Sequence, residues 1–360
     1  MKLGILGGGQ LAAMLSDAAK KLDIEVAVFD PVVDCCAGLS LKHFCHAYSD
    51  KEALKTLADW ADRITYEFEN VPRETANFLS QYKTVLPAEN ALMFTQDRLE
   101  EKQLLNSIGI ETAAFMKVDT KEDIYTALGQ LGPIILKTRS GGYDGKGQWM
   151  IKDTSQVEAI FPEIKINHLI AEKCISFNRE VSIIAVRSTT GDVKFYDLCE
   201  NIHKNGILYS TRNCPGDTSQ KQAESMISTL MDKLDYCGVL TLELFDCGGQ
   251  LLANEYAPRV HNSGHWTIEG TEASQFENHV RAVCELPLAA TTNKGNFQMF
   301  NIVGADPQSL KLNFNDAVLH DYKKKAKIGR KTGHITLNVL SSETQDSFKR
   351  QIANCHHFIS

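Results

Sequence analysis

Apolar positions change period repeatedly along this chain, and those changes divide it. Residues 2–6 form an apolar run of strand length, residues 11–21 carry apolar positions at helical spacing, and residues 25–29 return to a strand. The three make a βαβ unit around the turn Gly7, Gly8, Gly9, Gln10. Residues 32–46 look irregular and rich in cysteine, and residues 47–61 read as a further strand, loop and helix. A third strand at 63–66 and a fourth at 85–87 close a first domain near residue 97. Charged and apolar positions then predict helices at 96–108 and 119–131, leading into an apolar strand at 134–136 that delivers Lys137. Further strands are expected at 148–151, 169–172, 180–186, 195–198 and 206–210, with His203 in the turn between the last two. After a helix at 219–234, residues 239–245 alternate with Glu243 on the face away from Leu240, Leu242 and Leu244. Gly248 and Gly249 turn the chain and residues 251–256 return, which makes a hairpin. A helix at 275–284, a third domain opening at 286–290, strands at 298–303 and 335–340 and a C-terminal helix complete the pattern.

Chemistry attaches to these elements at a few places. Residues 137–148 read KTRSGGYDGKGQ, and Gly141, Gly142, Gly145 and Gly147 let backbone N–H groups converge on an anion such as a triphosphate. Lys137, Arg139 and Lys146 bring cations to the same place. A hairpin whose glycines serve only its turn is the plainer alternative. At the N-terminus, Gly7, Gly9 and Ala12 fit a GxGxxA fingerprint with Asp30 where a ribose-binding acid would stand. An NAD-dependent dehydrogenase and some other phosphate-bearing ligand at that helix start both stay open, although no hydride-transfer acid/base set follows. Glu67 ends a strand where carboxylates of open α/β sheets face the ligand crevice, whereas Glu69 is expected in a solvated loop or as a cap for the helix near Pro72.

Glu172, Lys173, Cys174 and Ile175 end another strand, and that passage suits an adenine pocket, with backbone groups for the base edge and a carboxylate for ribose hydroxyls. The hairpin sets Glu243 opposite Asn254 or Glu255, with Cβ atoms about 5 Å apart. Two carboxylates so close repel unless a cation lies between them, and hard oxygens favour Mg2+ with nucleotide phosphates. Residues 257–266, APRVHNSGHW, crowd Arg259, His261, Asn262, Ser263 and His265 just beyond, which reads as a substrate-anion and acid/base segment. Residues 320–334, HDYKKKAKIGRKTGH, form either a solvated basic turn or a local site for a phosphomonoester.

Composition narrows the class. At 360 residues, 43% hydrophobic and 23% charged, the chain can hold two or three ordinary globular domains. A net charge of −7 argues against a general nucleic-acid or membrane surface, so any anionic ligand must meet a local basic pocket. Ten cysteines without a CxxC pair or zinc spacing read as reduced thiols of a cytoplasmic protein. The start of the chain lacks a signal-peptide pattern, and no apolar run approaches the ~20 residues of a membrane span.

Together these residues resemble the ATP-grasp enzymes and, within them, the N5-carboxyaminoimidazole ribonucleotide synthase family. The strings are GGGQLAAM at 7–14, YEFENVP at 66–72, DRLEEKQ at 97–103, KTRSGGYDGKGQW at 137–149, the Glu243 and Asn254/Glu255 pair, APRVHNSGHW at 257–266 and GRKTGH at 329–334. Biotin carboxylases and D-alanine ligases share the architecture but lack the pair GGYDGKGQ and APRVHNSGHW. The resemblance implies an α/β and α+β chain with the ATP-grasp fold. Its parts would be an N-terminal Rossmann-like preATP-grasp domain at 1–97, an ATP-grasp domain at 98–290 with a glycine-loop lid at about 112–176, and a small C-terminal domain at 291–360.

The activity implied is ATP- and bicarbonate-dependent carboxylation of the exocyclic amine of 5-aminoimidazole ribonucleotide, through carboxyphosphate and CO2, in purine biosynthesis. Another ATP-grasp carboxylate–amine ligase is the alternative. By resemblance, ATP falls to Arg98, Lys137, Gly142, Tyr143, Asp144, Gly145, Lys146, Gly147, Gln148, Glu172, Lys173, Cys174, Ile175, Glu180, His203, Asn254 and Glu255. Mg2+ falls to Glu243 and Glu255. The ribonucleotide falls to Gln10, Glu67, Asn262, Ser263, Lys324, Arg330 and Lys331, with Tyr143, Arg259, His261 and Lys324 at the reacting group. The N-terminal unit then helps to bind ribonucleotide and no NAD, and a homodimer is expected. The segment between Tyr322 and Gly329 is lysine-heavy where relatives often have arginine and proline, which leaves the phosphate ligand open among Lys323, Lys324 and Lys327.

Overall fold

Parallel pairing of the first apolar runs builds the N-terminal sheet. In the computed structural model, which describes residues 1–142, 146–160, 168–309 and 317–339, β1 (Lys2–Leu6) lies between β2 (Glu25–Phe29) and β4 (Arg63–Tyr66). Both faces of β1 are covered, as its unbroken apolar run requires. Leu3 and Ile5 pack with α1 (Gln10–Lys20), and Leu6 packs on the other face with α2 (Lys51–Trp60). Gly4 also lies on that second face, where an added Cβ would meet Leu57 at 3.1 Å. The stretch read as irregular contains a short edge strand, β3 (Lys42–Phe44), beside β2. Residues 85–87 are not a strand, because Val85 makes only an isolated parallel bridge to Ile64 before the chain turns at Pro87. Helices α3 (Arg73–Ser80), before that turn, and α4 (Glu89–Thr95), after it, share one apolar cluster through Ala76, Leu79 and Leu92, and the apolar pattern assigns no element to α4.

A second sheet follows α5 (Arg98–Ser107). Its strands are β5 (Phe115–Val118), β6 (Ile134–Thr138), β7 (Gln148–Ile151) and β8 (Leu169–Lys173), in the antiparallel order β5-β8-β6-β7. Helices α6 (Lys121–Leu131) and α7 (Thr154–Ile160) cover it through Ile124, Leu128 and Val157. A capping box between Thr120 and Asp123 fixes the start of α6.

The central sheet has nine strands: β9 (Arg179–Arg187), β10 (Val193–Phe195), β11 (Cys199–Lys204), β12 (Ile207–Asn213), β13 (Gly238–Asp246), β14 (Leu251–Ala257), β15 (Phe297–Val303), β16 (Ala317–Asp321) and β17 (Lys331–Asn338). Their order is β14-β13-β9-β11-β12-β15-β17-β16, with β10 beside β9, so the C-terminal strands extend the sheet that the hairpin begins. Period-2 alternation sends Ile183, Ala185, Leu240 and Leu242 against α8 (Gln220–Lys233), and Ile184, Val186 and Val239 against α10 (Gln275–Val283). A short helix, α9 (Thr267–Gly270), precedes α10.

His279 on α10 clamps this sheet to the first one. Its Nδ1 accepts the Val239 N–H at 3.1 Å, so Nε2 carries the proton and donates to Thr65 Oγ1 at 2.9 Å. Burial keeps the imidazole neutral, with its pKa down at about 4. His203 lies on β11 itself rather than in a turn, next to a register shift at Ile202 and His203. No helix among the described residues is long and apolar enough to cross a membrane.

Candidate active site

The ends of β6, β8 and β14 and the start of α5 enclose one charged crevice. Lys137 on β6 places Nζ 3.0 Å from Glu172 Oε2, and Lys102 on α5 places its own Nζ 3.1 Å from the same oxygen. Burial pushes the Glu172 carboxyl up, but the two ammonium groups outweigh it and hold the pKa below the ordinary carboxylate value. Glu172 Oε1 and Asn254 Oδ1 are buried with no hydrogen-bond partner among the described residues, so the crevice offers open acceptors to a donor or a cation. Arg98 Nη1 donates to Glu255 Oε2 at 2.6 Å and Nη2 to the Gly142 carbonyl at 3.3 Å, which ties the glycine loop to β14. Burial opposes the charge on Glu255, yet Arg98 pulls its pKa down to about 2.

Glu101 pays for that arrangement. It is buried, accepts the Tyr256 N–H at 2.6 Å, and is pushed up to about 8 by burial and then by the charge on Glu255. The folded protein therefore binds a proton here that the unfolded chain releases near its ordinary pKa, so stability falls as pH rises between those two values. Glu101→Gln keeps the acceptor and removes the titration. Its melting temperature should match wild type near pH 5 and exceed it by a few degrees near pH 8; equal values at both pH would sink this account.

The glycine loop closes where Thr138 N–H meets the Gly147 carbonyl at 2.9 Å. Gly147 has φ +70°, and an added Cβ would lie 2.7 Å from Thr138 Oγ1, so glycine is required twice over. Tyr143, Asp144 and Gly145 lie outside the described residues, and Lys146 beside them is exposed. Arg139, read as a phosphate cation, is instead engaged by Asp97, with Nε to Oδ1 at 2.8 Å, and Asp97 also caps α5 through the Leu99 N–H at 2.9 Å.

Across the hairpin, Glu243 pairs in register with Glu255, with a bulge just after Glu243. A one-directional chain of hydrogen bonds orders His261 beneath Glu243. Asn201 Nδ2 donates to Ser182 Oγ at 3.0 Å, Ser182 to Ser263 Oγ at 2.8 Å, and Ser263 Oγ lies 2.9 Å from His261 Nδ1. The Ser263 N–H also points at Nδ1, at 3.3 Å, so Nδ1 is an acceptor and the proton sits on Nε2, 3.0 Å from Glu243 Oε1. Among the described residues no three His, Cys, Asp or Glu side chains form a group able to hold a metal. Two facing carboxylates with the open Asn254 Oδ1 do fit Mg2+, which commonly binds through one or two carboxylates plus substrate phosphates. At the rim, His203 Nδ1 lies 2.9 Å from Glu180 Oε2; burial lowers the imidazole pKa, but that carboxylate raises it above the ordinary value.

The chain matches the ribonucleotide synthetase preATP-grasp domain over residues 1–96, the ATP-grasp domain over 103–276 and the phosphoribosylaminoimidazole carboxylase C-terminal domain over 298–347. It is 44% identical over 346 residues to the N5-carboxyaminoimidazole ribonucleotide synthase of Pseudomonas aeruginosa, covering 96% of each chain. The chain belongs to the N5-carboxyaminoimidazole ribonucleotide synthase family. It is an ATP-dependent ligase with the ATP-grasp fold. The crystal structure of the Thermus thermophilus N5-carboxyaminoimidazole ribonucleotide synthetase superposes with a TM-score of 0.91 at 41% identity, covering 99% of this chain and 98% of that one. The Aspergillus clavatus N5-carboxyaminoimidazole synthase, solved with ADP and 5-aminoimidazole ribonucleotide, superposes with a TM-score of 0.88 at 27% identity, covering 98% and 97%.

Membership in the synthase family also disposes of the dinucleotide fingerprint, and the geometry gives the reason. Glu67 accepts the N–H groups of Gly9 and of Ala12, the latter at 2.8 Å, while Asp30 Oδ2 accepts that of Gly8 at 2.9 Å. Carboxylates already occupy the donors that a pyrophosphate would need at this helix start. Lys324 reaches in to donate to Gln10 Oε1, whereas Lys323 is held by Asp321 at 2.8 Å and Lys327 is exposed. Arg330 is exposed and Lys331 half-buried at the start of β17. Asn262 exchanges hydrogen bonds with Asn301 at 3.0 and 2.7 Å, and Ser263 is fully buried behind His261. Glu69 is no solvated cap, because Arg259 grips both its oxygens and holds its pKa down against burial. Asp97, Glu101 and Lys102 lie in the string DRLEEKQ without any role being read for them, and Ser182 and Asn201 look like ordinary polar positions, yet each fixes a group in the crevice.

Proposed function

We propose that this chain carboxylates the exocyclic amine of 5-aminoimidazole ribonucleotide with ATP, Mg2+ and bicarbonate, as a step of purine biosynthesis. The observation that carries the reading is the convergence on one crevice of Lys137 and Glu172, the facing acids Glu243 and Glu255, and the Arg259 to His261 segment. In the reaction, a bicarbonate oxygen attacks the γ-phosphorus, ADP departs, and carboxyphosphate forms. Its breakdown gives phosphate and CO2, whose carbon is attacked by the exocyclic amine, which then loses a proton.

Lys137, Arg98 and the loop from Gly142 to Gln148 would take the triphosphate, and Glu172, Lys173, Cys174 and Ile175 the adenosine, with Glu180, His203 and Asn254 at the pocket's edge. Glu243 and Glu255 would hold Mg2+, which would supply charge neutralisation for the transferring phosphoryl group. Because His261 Nε2 already bears its proton, this histidine acts first by orienting Glu243, as outer partners of metal carboxylates do. The ribonucleotide would lie between Gln10, Glu67, Arg259, Asn262 and the basic segment, with Lys324 as the inward lysine and Arg330 and Lys331 beside it; Ser263, fully buried, would serve the site only through its contact with His261. Closure of the loop, with Tyr143 on it, would keep water from the reactive intermediate. Division of the chain at about 97 and 290, a homodimer and a cytoplasmic location belong to the same reading, supported by the family resemblance.

A coupled assay for ADP tests the proposal. ADP release should require bicarbonate and rise with 5-aminoimidazole ribonucleotide, which becomes carboxylated. If the ribonucleotide does neither, or an amino acid drives ADP release in its place, the chain is a different ATP-grasp ligase.

A further inference from the structure

One lysine of the crevice is almost wholly buried. Lys102, one turn beyond Arg98 on α5, is 2% exposed, and it reaches Glu172 Oε2 at 3.1 Å and the Asn254 carbonyl at 3.2 Å. It thereby joins β8 of the second sheet to β14 of the central sheet at the floor of the crevice. Lys137 shares the same Glu172 oxygen at 3.0 Å but has no second hydrogen-bond partner among the described residues. Of the two cations, then, Lys137 is the one free to leave and Lys102 the one fixed in place. Glu172 is 3% exposed, and a carboxylate that deep is strongly unfavourable without a counter-charge.

We propose that Lys102 is a positioning residue, the standing counter-ion of Glu172, which keeps that carboxylate charged when Lys137 moves to the phosphates of ATP. The proposal rests on the assignment of ATP to this crevice. Lys102 itself touches no nucleotide; it lets Lys137 go without leaving a bare charge behind. Other charged groups around the pair are Arg98 and Glu101 on α5 and Glu255 on β14. Arg98 is committed to Glu255 at 2.6 Å, and Glu101 and Glu255 are themselves acids, so none of these replaces Lys102 at Glu172.

The consequence is a proton. In Lys102→Met, Lys137 alone holds Glu172 ionised before ATP binds, and once Lys137 leaves, the carboxylate must take up a proton. Calorimetric titration with ATP and Mg2+, without ribonucleotide, in buffers of different ionisation enthalpy should show uptake of about one proton more than in wild type near neutral pH. The variant's ATP affinity should accordingly be about tenfold weaker than wild type at pH 8 and recover toward it at pH 6, a tenfold change per pH unit being the limit for one linked proton. Lys102→Met/Glu172→Gln should lose the extra uptake, since an amide needs no counter-ion. No extra proton in Lys102→Met, or one that persists in the double variant, would overturn the proposal. Should Lys102→Met fail to fold, the double variant is compared with Glu172→Gln alone, and a weaker ATP affinity in the double variant refutes it. Lys137→Met separates the two readings. If it leaves ATP affinity unchanged, the ATP assignment falls; if it weakens ATP while Lys102→Met shows no linkage, only the role of Lys102 falls.

Discussion

Glu255→Gln should reduce bicarbonate-dependent ADP release by at least about a thousandfold, ~4 kcal/mol of transition-state stabilisation at 1.36 kcal/mol per decade, while the protein stays folded. The first half follows from charge. Glu255 faces Glu243 across the hairpin, and an amide there removes one of the two anionic oxygen donors that fit Mg2+. It also releases Arg98, whose guanidinium holds both Glu255 and the Gly142 carbonyl at the mouth of the glycine loop. The second half follows from Glu101. That acid is pushed up to about 8 partly because Glu255 is charged, so neutralising Glu255 lowers the pKa of Glu101 and lets it ionise beside Arg98. One acid thus replaces the other as partner of the half-buried cation, and the melting temperature should shift by only a few degrees. Circular dichroism and a thermal melt check the fold, and the coupled assay checks the rate. Near-normal turnover would overturn the metal and phosphate assignment, and an unfolded variant would overturn the compensation by Glu101.

This substitution could be chosen from sequence because the hairpin is strongly patterned. Period-2 alternation through Leu240, Leu242 and Leu244 and the turn at Gly248 and Gly249 fix which residues face the crevice, and a one-residue slip would have sent Glu243 into the core. The βαβ unit at the N-terminus was legible for the same reason. Its ligand was not: a triple glycine looks the same whether its N–H groups meet a pyrophosphate or, as here, carboxylates, with Gly8 donating to Asp30 and Gly9 to Glu67. The polar stripe of α5 was opaque in another way. Glu101 and Lys102 follow the charge alternation of a solvated helix face, but that face lies under β8 and β14, and nothing in a helical period reports what covers a helix. His203 was misplaced because a bulge at Ile202 and His203 breaks the alternation that would have marked the strand. The pairing of Glu69 with Arg259 spans 190 residues, a separation at which local pattern carries no information.

That last pair supports the other large effect. Arg259→Ala should cut ribonucleotide-dependent ADP release by on the order of a hundredfold, as expected for loss of a charge-assisted anion ligand worth ~1.5–3 kcal/mol. Arg259 follows β14 and its partner Glu69 follows β4, so the bidentate grip joins the N-terminal unit to the central sheet at the mouth of the crevice. Removing the guanidinium leaves Glu69 facing burial alone, and its carboxyl, now held down, should rise above the ordinary value. The side chains of Arg259 and Glu69 are 17% and 27% exposed, so solvent softens the loss. Destabilisation of about 2 kcal/mol is expected, below the ~3–5 kcal/mol of a fully buried broken pair. The pH dependence has a definite sign. Stability contributed by the ionised pair is present above the unfolded pKa of Glu69 and is lost as pH falls through its lower folded value, so Arg259→Ala should flatten the acid limb of the wild-type stability curve. Glu69→Gln separates the two roles, because it breaks the bridge yet keeps the cation. It should share the stability loss and the flattened limb while retaining most of the ribonucleotide-dependent rate. If Glu69→Gln loses as much activity as Arg259→Ala, the arginine acts by joining the two units and touches no substrate.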